Sequence, residues 1–476
     1  MSVIGRNALS LLTSQAAIWA IAAVMLVVAP RFLGEVDFGR LSFATSYVGF
    51  FMLVGLLGTN TYLVRLTARD PSLVGPYVFN ALVLKLVLGV VLAAAAVGLG
   101  VLLGYERQTL LLIAAAAVTM SVGLLNDSLL AGLHGLERMA RPATWNVAQQ
   151  YVAAALCLSV VAAGRGVVAY AAALVPAAVI PVVANARDLR GELRGHAHID
   201  LRVWRSIAVG GVPFLVSSAI MYVYGSIDLV MLRPLAGDAT VGWYALAYRW
   251  LSLPVVVAAT GLAALFPSLS VQGVALTDRF FATARLSLKF VAFVGLPLSA
   301  GIALVADDLI RIVYADDFRQ SVPLVVIMAV GIPIIMIDMV LANVLITTDR
   351  QNAWLVVGLV AAIMNPLLNL FAIPFTVERY QNGAIGAATM TVLTELLMLA
   401  GFVRLQPKGL LDREVISFVA RCALATAAVV AAVLTIRSVP LFARVVVGAV
   451  VYGLASILLR TASLQKLRRW RTRFGR

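Results

Sequence analysis

Fourteen apolar runs follow one another along this chain, separated by polar breaks too short to fold by themselves. They lie near 9–30, 40–64, 75–103, 108–133, 144–164, 166–186, 205–232, 241–267, 284–306, 321–347, 353–375, 384–403, 415–436 and 441–460. A run of about twenty apolar residues is long enough to cross hydrocarbon as a helix, the form in which every internal backbone group is paired within its own segment. Composition removes the alternatives. Hydrophobic residues make up 62% of the chain and charged ones only 12%, against about a quarter charged in a soluble domain. That excludes a cytosolic enzyme, a secreted disulfide scaffold and a disordered protein. The first run, flanked by Arg6, has no small-residue cleavage pattern and leads directly into further spans, so it reads as a membrane helix rather than a signal peptide. The expected fold is an all-α polytopic membrane protein of about 14 transmembrane helices.

The net charge of +15 could suggest nucleic acid, but its placement accounts for it. With the N-terminus set in the cytoplasm, 24 Lys and Arg fall on the cytoplasmic side and ten on the other, with nine acidic residues on each. That is the asymmetry of membrane orientation. Both termini are therefore expected in the cytoplasm, the basic tail at 466–476 against anionic lipid headgroups, and no nucleic-acid partner. Cys157 and Cys422 sit inside apolar runs, too few for a disulfide framework or a metal cluster.

The chain also repeats itself. The turn between spans one and two, Arg31-Phe-Leu-Gly-Glu-Val-Asp-Phe-Gly-Arg40, has a counterpart between spans seven and eight, where Arg31 aligns with Arg233 and Gly39 with Gly242. Six spans separate the copies, an even number, so both have the same orientation. The expected organisation is two parallel six-helix lobes, 1–195 and 196–403, in a V-shaped alternating-access arrangement with the substrate between them. Helices 13 and 14 (404–465) and the tail lie outside the repeat.

Chemistry is sparse. There is no P-loop motif, so no nucleotide is hydrolysed through one. Glu35 and Asp37 occupy a place where membrane glycosyltransferases carry a catalytic acidic pair, but the short loops leave no room for a sugar donor and acceptor; the two read as solvated turn charges. Ionisable groups inside spans cost at least about 2.5–3.5 kcal/mol each unless paired or wetted. They are Lys85, Asp127, Asp228, Arg249, Lys289, Asp338 and Glu395. Lys85 and Lys289 are near enough to span ends to snorkel. Arg249, among Trp243, Tyr244, Tyr248 and Trp250, points to a wet, anion-seeking cavity or to a structural ion pair. Asn365 and Asn369 share one helix face and offer oxygen, the ligand a hard cation prefers.

These motifs resemble those of the polysaccharide-type members of the MOP superfamily. Besides the first turn, Ala264-Leu-Phe-Pro-Ser-Leu-Ser270 is similar to their end-of-span-eight pattern. Asn365-Pro-Leu-Leu-Asn-Leu-Phe-Ala-Ile-Pro374, followed by Gly383-Ala-Ile-Gly-Ala-Ala388, is similar to their span-eleven-to-twelve signature. The resemblance implies a Wzx-type flippase that moves an undecaprenyl-diphosphate-linked oligosaccharide across the bacterial cytoplasmic membrane, and no enzyme. Other polysaccharide-assembly membrane proteins would be its partners. The alternatives are a lipid II-type flippase, a MATE-like cation-coupled exporter, and a membrane glycosyltransferase or polymerase. A MATE-like exporter would need an acidic first lobe, yet spans one to three hold no carboxylate. On this reading Arg249, Lys289, Lys85, Arg31 and Arg40 are the candidates for contacting diphosphate or sugar. No cofactor is expected beyond sodium or proton coupling, for which the resemblance implies a site among Asp228, Asn365, Asn369, Thr391, Thr394 and Glu395. A purely structural hydrogen-bond cluster is the other reading of those residues.

Overall fold

The computed structural model describes residues 3–273, 276–314 and 316–461, and the basic tail at 466–476 lies outside them. Among these residues the chain is built from α-helices with no strand. Thirteen segments are long and apolar enough to cross a membrane. Fourteen were expected; spans one and two are counted together, because helix α1 (Val3–Leu56) passes through its bend as one helical element. Many large apolar side chains stay uncovered, with Leu102 85% and Leu458 82% exposed. An apolar surface this extensive is stable only against lipid. The chain is thus a multi-pass membrane protein.

Packing divides it into two compact units, 1–242 and 243–476. The boundary expected from the repeat was 195/196. The packing boundary falls later because helix α8 (Leu201–Ala236) lies along the first unit. Its Ser206 hydroxyl is 2.9 Å from that of Tyr62, and its Tyr222 hydroxyl donates to the Ser46 carbonyl at 3.1 Å.

In the first unit, α1 turns at Gly34 and breaks again at Leu57 and Gly58, where α2 (Thr59–Arg69) begins. The helices α3 (Val74–Leu102), α4 (Arg107–Gly135), α5 (Ala140–Ala162) and α6 (Val167–Asp188) follow, then the short α7 (Arg190–Leu193) and α8. Val74, Val78, Leu129, Leu133 and Leu189 form one core patch; Leu63, Ala81, Ala131 and Ile207 form another.

The sequence repeat is also a structural one. Gly34 has φ 72°, ψ 174°, and Gly237, between α8 and α9 (Asp238–Gly273), has φ 87°, ψ 171°. Only glycine enters that region without strain. An acidic residue follows each, Glu35 and Asp238, and a second glycine closes each turn, Gly39 and Gly242. The two copies meet. A Cβ on Gly39 would come 1.9 Å from the Asp238 carbonyl oxygen, and one on Gly242 would come 2.1 Å from that of Glu35. Such reciprocity is what a local two-fold axis produces.

In the second unit, α11 (Val322–Thr347) is the most enclosed helix, packed between α10 (Asp278–Tyr314) and α13 (Gly383–Leu405), with α12 (Gln351–Tyr380) against α13. The two helices outside the repeat, α14 (Arg413–Thr435) and α15 (Leu441–Leu458), pack on α10 and on each other. Arg285 pairs with Asp412 at 2.9 Å and Lys289 with Glu414 at 2.6 Å, while Arg444 reaches Asp308 and the Tyr452 hydroxyl donates to the Phe293 carbonyl at 2.6 Å.

Alanine at Gly39 must push a backbone carbonyl aside, and alanine at Gly237 takes on the strain of its dihedral, about 1–3 kcal/mol. Each substitution should lower the thermal midpoint of detergent-solubilised protein by several degrees. Gly98→Ala, where no atom lies within 4 Å of the new methyl, should leave it unchanged or raise it slightly.

Candidate functional site

Three polar clusters stand out inside these apolar units. The first surrounds the paired turns. Arg40 donates through Nε to Asp238 Oδ2 at 2.8 Å, through Nη1 to Gln108 Oε1 at 2.7 Å and through Nη2 to Glu106 Oε2 at 3.1 Å, with Asp37 at 3.5 Å. Arg233 donates through Nε to the other Asp238 oxygen at 2.7 Å and through Nη2 to Thr109 at 2.8 Å. Its guanidinium also lies 4.5 Å from the ring centres of both Phe43 and Tyr105. A planar fork of donors is suited to such multiple engagement, and the ring faces add cation–π attraction. Burial pushes the Tyr105 phenol up, and Arg233 beside it acts in the opposite sense. One carboxylate, Asp238, thus holds two arginines and ties α1 to the α8–α9 turn. Arg31 is exposed, whereas Arg40 is largely enclosed by its partners. Sequence alone gives Arg233 and Asp238 no function; the repeat that aligns Arg31 with Arg233 is the signal that points to them.

The second cluster is Lys85 on α3 with Asp127 on α4. Lys85 is fully buried and does not snorkel. Its Nζ donates to Asp127 Oδ2 at 2.5 Å, and Asn60 donates to Oδ1 at 2.8 Å. Lys289 is likewise engaged, by Glu414 on α14. Arg249 is half-buried on α9, with Tyr314 in its electrostatic range.

The third cluster lies on α11, α12 and α13. Asn365 and Asn369 are completely buried, and Asn369 Nδ2 donates to Asn365 Oδ1 at 3.0 Å. Thr391 and Thr394 donate to the carbonyls one turn back, so their oxygens act as acceptors, that of Thr391 toward the Tyr244 hydroxyl at 3.0 Å. Glu395 and Asp338 are buried and face one another. Asp228 is also buried, on α8 of the first unit. Among the described residues no three His, Cys, Asp or Glu side chains gather as a metal site would require. The amide, hydroxyl and carboxylate oxygens here are the donor set a hard alkali cation accepts.

The chain matches the model of the family described as "Polysaccharide biosynthesis protein" over residues 4–271. No curated protein matches it. Among solved structures, lipid II flippase MurJ in an inward closed conformation superposes with a TM-score of 0.75 at 13% identity, covering 96% of this chain and 99% of that one. An inward-facing multidrug resistance MATE family transporter of the MOP superfamily gives 0.63 at 20% identity, covering 81% and 93%. A MOP superfamily transporter from Pyrococcus furiosus gives 0.53 at 18%, covering 84% and 94%. At such identities the likeness is one of fold, and the fold is that of the MurJ and MATE transporters.

Removing Lys85 alone should strand the Asp127 charge, which in a buried pair costs about 3–5 kcal/mol. Lys85→Met should therefore reduce folded yield in membranes sharply, by size-exclusion of the solubilised protein. Adding Asp127→Leu should restore much of it.

Proposed function

Because the chain belongs to the polysaccharide biosynthesis protein family, we propose that it translocates an undecaprenyl-diphosphate-linked oligosaccharide across the bacterial cytoplasmic membrane, with both termini in the cytoplasm. The observation that carries this reading is the family match on a chain whose fold is shared with a lipid II flippase. A diphosphate-linked glycan cannot enter hydrocarbon unaided, so the protein must offer cations to the phosphates and leave the lipid tail outside. Lys85 and Lys289 are already matched by Asp127 and Glu414. Arg249, half-buried on α9, is the first choice for the diphosphate, since arginine keeps its charge when desolvated. In this reading Arg40 and Arg233 close the outward end while Asp238 holds them. They meet the phosphates only when that end opens, and Arg31 receives them there as an exposed cation. The lobes that rock are 1–195 and 196–403, with 404–465 accompanying the second. The tail at 466–476 lies on anionic lipid, and other polysaccharide-assembly membrane proteins are the partners that deliver and collect the glycan.

Coupling is assigned to the third cluster. Sodium would be held by oxygens of Asn365, Asn369, Thr391, Thr394 and Glu395 together with Asp228; protonation of the carboxyls is the other form of coupling. A MATE-like exporter of cations is disfavoured by α4 of the first unit, where the half-buried Asp127 is already neutralised by Lys85. Catalysis at Glu35 and Asp37 is disfavoured too, since Asp37 is taken up by Arg40 and Gln108.

Proteoliposomes containing the chain should translocate labelled lipid-linked glycan, and Arg249→Ala at matched protein should lose about tenfold or more of that rate. Equal rates would remove Arg249 from the site, and no translocation of any such glycan would overturn the function. A second measurement bears on coupling: transport should depend on a sodium or proton gradient, and Asp228→Asn should abolish that dependence.

A further inference from the structure

The first unit carries an open cavity of ≈ 280 Å³ between α1, α4, α5 and α6, distinct from the three clusters above. Four polar side chains line it, Thr45, Thr119, Asn126 and Gln149, and no ionisable one does. The nearest carboxylate in sequence, Asp127, is directed to Lys85 and Asn60 instead. A cation or a diphosphate brought here would find no countercharge, which excludes both as occupants. A purely apolar occupant is excluded on the opposite ground, because it would leave amides facing hydrocarbon.

The hydrogen-bonding capacity of the lining is mixed. Asn126 Oδ1 accepts from Asn185 Nδ2 at 2.9 Å, which fixes the amide and leaves its own N–H groups as donors. Thr45 and Thr119 donate to the carbonyls of Leu41 and Ala115, at 2.8 and 3.0 Å, so their oxygens remain as acceptors. Gln149 makes no hydrogen bond among the described residues and brings both a donor and an acceptor. Hydroxyl groups, each of which donates and accepts, match such a set. The rest of the wall is aliphatic, suited to the C–H faces of a saturated ring. The volume falls at the lower edge of small-molecule sites, about 300–1,000 Å³, which admits one or two rings and not a whole glycan.

We infer that this cavity binds a neutral sugar residue of the transported head group, apart from the cations that meet its diphosphate. The inference rests on the function proposed above. It divides recognition between two places: charge selects the lipid-diphosphate class, and the uncharged cavity selects the glycan.

Gly123 provides the means of testing it. A Cβ there meets only Met52 Cε, at 3.7 Å, so Gly123→Leu fills the cavity from a wall that can accept it. Two probes are compared in proteoliposomes: the lipid-linked glycan fraction from cells that make this chain, and synthetic undecaprenyl diphosphate without sugar. Thr119→Cys reports occupancy through its rate of labelling by a small neutral maleimide, corrected with the parent chain, whose Cys157 and Cys422 are buried. The glycan lipid should slow labelling at least threefold and the sugar-free lipid should not. Gly123→Leu should abolish the protection and lower glycan-lipid transport about tenfold, with an unchanged thermal midpoint. If the wild type transports the glycan lipid but shows no protection, or if Gly123→Leu transports it as well as wild type does, the sugar site falls and the flippase reading stands. Protection by both lipids alike assigns the cavity to the hydrocarbon chain and overturns the inference. Protection without transport by the wild type supports the site and counts against the flippase. Neither protection nor transport overturns both.

Discussion

A helix in hydrocarbon has no solvent to satisfy what its side chains leave over, and the internal matching of a few charged groups decides how this structure is held. Asp238 is the clearest case. Its two carboxylate oxygens are divided between Arg40 and Arg233, so one residue at the start of α9 fixes the bend of α1 and the end of α8 together. The glycines make this possible. Backbones that approach as closely as those at Gly39 and Gly242 bring Arg40 within reach of a carboxylate on the opposite copy, which Arg233 holds from its own side. Steric permission and charge matching are therefore two aspects of one joint. The same economy appears at Lys85 and Asp127, where a fully buried ammonium is tolerated because its partner and Asn60 lie on neighbouring helices.

How much of this was legible in the sequence depended on the range of the interaction concerned. Span positions were readable because each is decided by its own twenty or so residues. The repeat was readable because its glycines and arginines recur at nearly constant separation, and its structural counterpart is the shared backbone conformation of Gly34 and Gly237. The break at Leu57 and Gly58 was not, since apolar residues continue on both sides and only the packing of α8 there makes it intelligible. Lys85 and Asp127 were each recognisable as costly intramembrane charges. Their pairing was not, because 42 residues separate them. Arg233 likewise could be aligned but not interpreted until Thr109, Phe43, Tyr105 and Asp238 were seen around it. The uncharged cavity was invisible for a different reason: threonine, asparagine and glutamine inside a helix signal nothing individually.

The first unit also shows how polarity is provided inside a membrane helix bundle without net charge. There Asp127 is neutralised by Lys85, and the cavity between α1, α4, α5 and α6 has no ionisable side chain in its wall. What that cavity offers is hydrogen bonding without net charge, a chemistry that discriminates among hydroxylated molecules better than among ions.

The two helices outside the repeat add a mechanical dimension. Arg285 and Lys289 fasten one end of α10 to the start of α14, and Arg444 grips Asp308 toward the other end. A helix fastened at two levels cannot tilt without dragging its companions. Every displacement of α10 must therefore sweep the lipid-facing surface of α14 and α15 through the surrounding acyl chains. The viscosity and lateral pressure of the bilayer thus act as a load on that motion, and stiffening the membrane would slow it even with every residue of the protein unchanged.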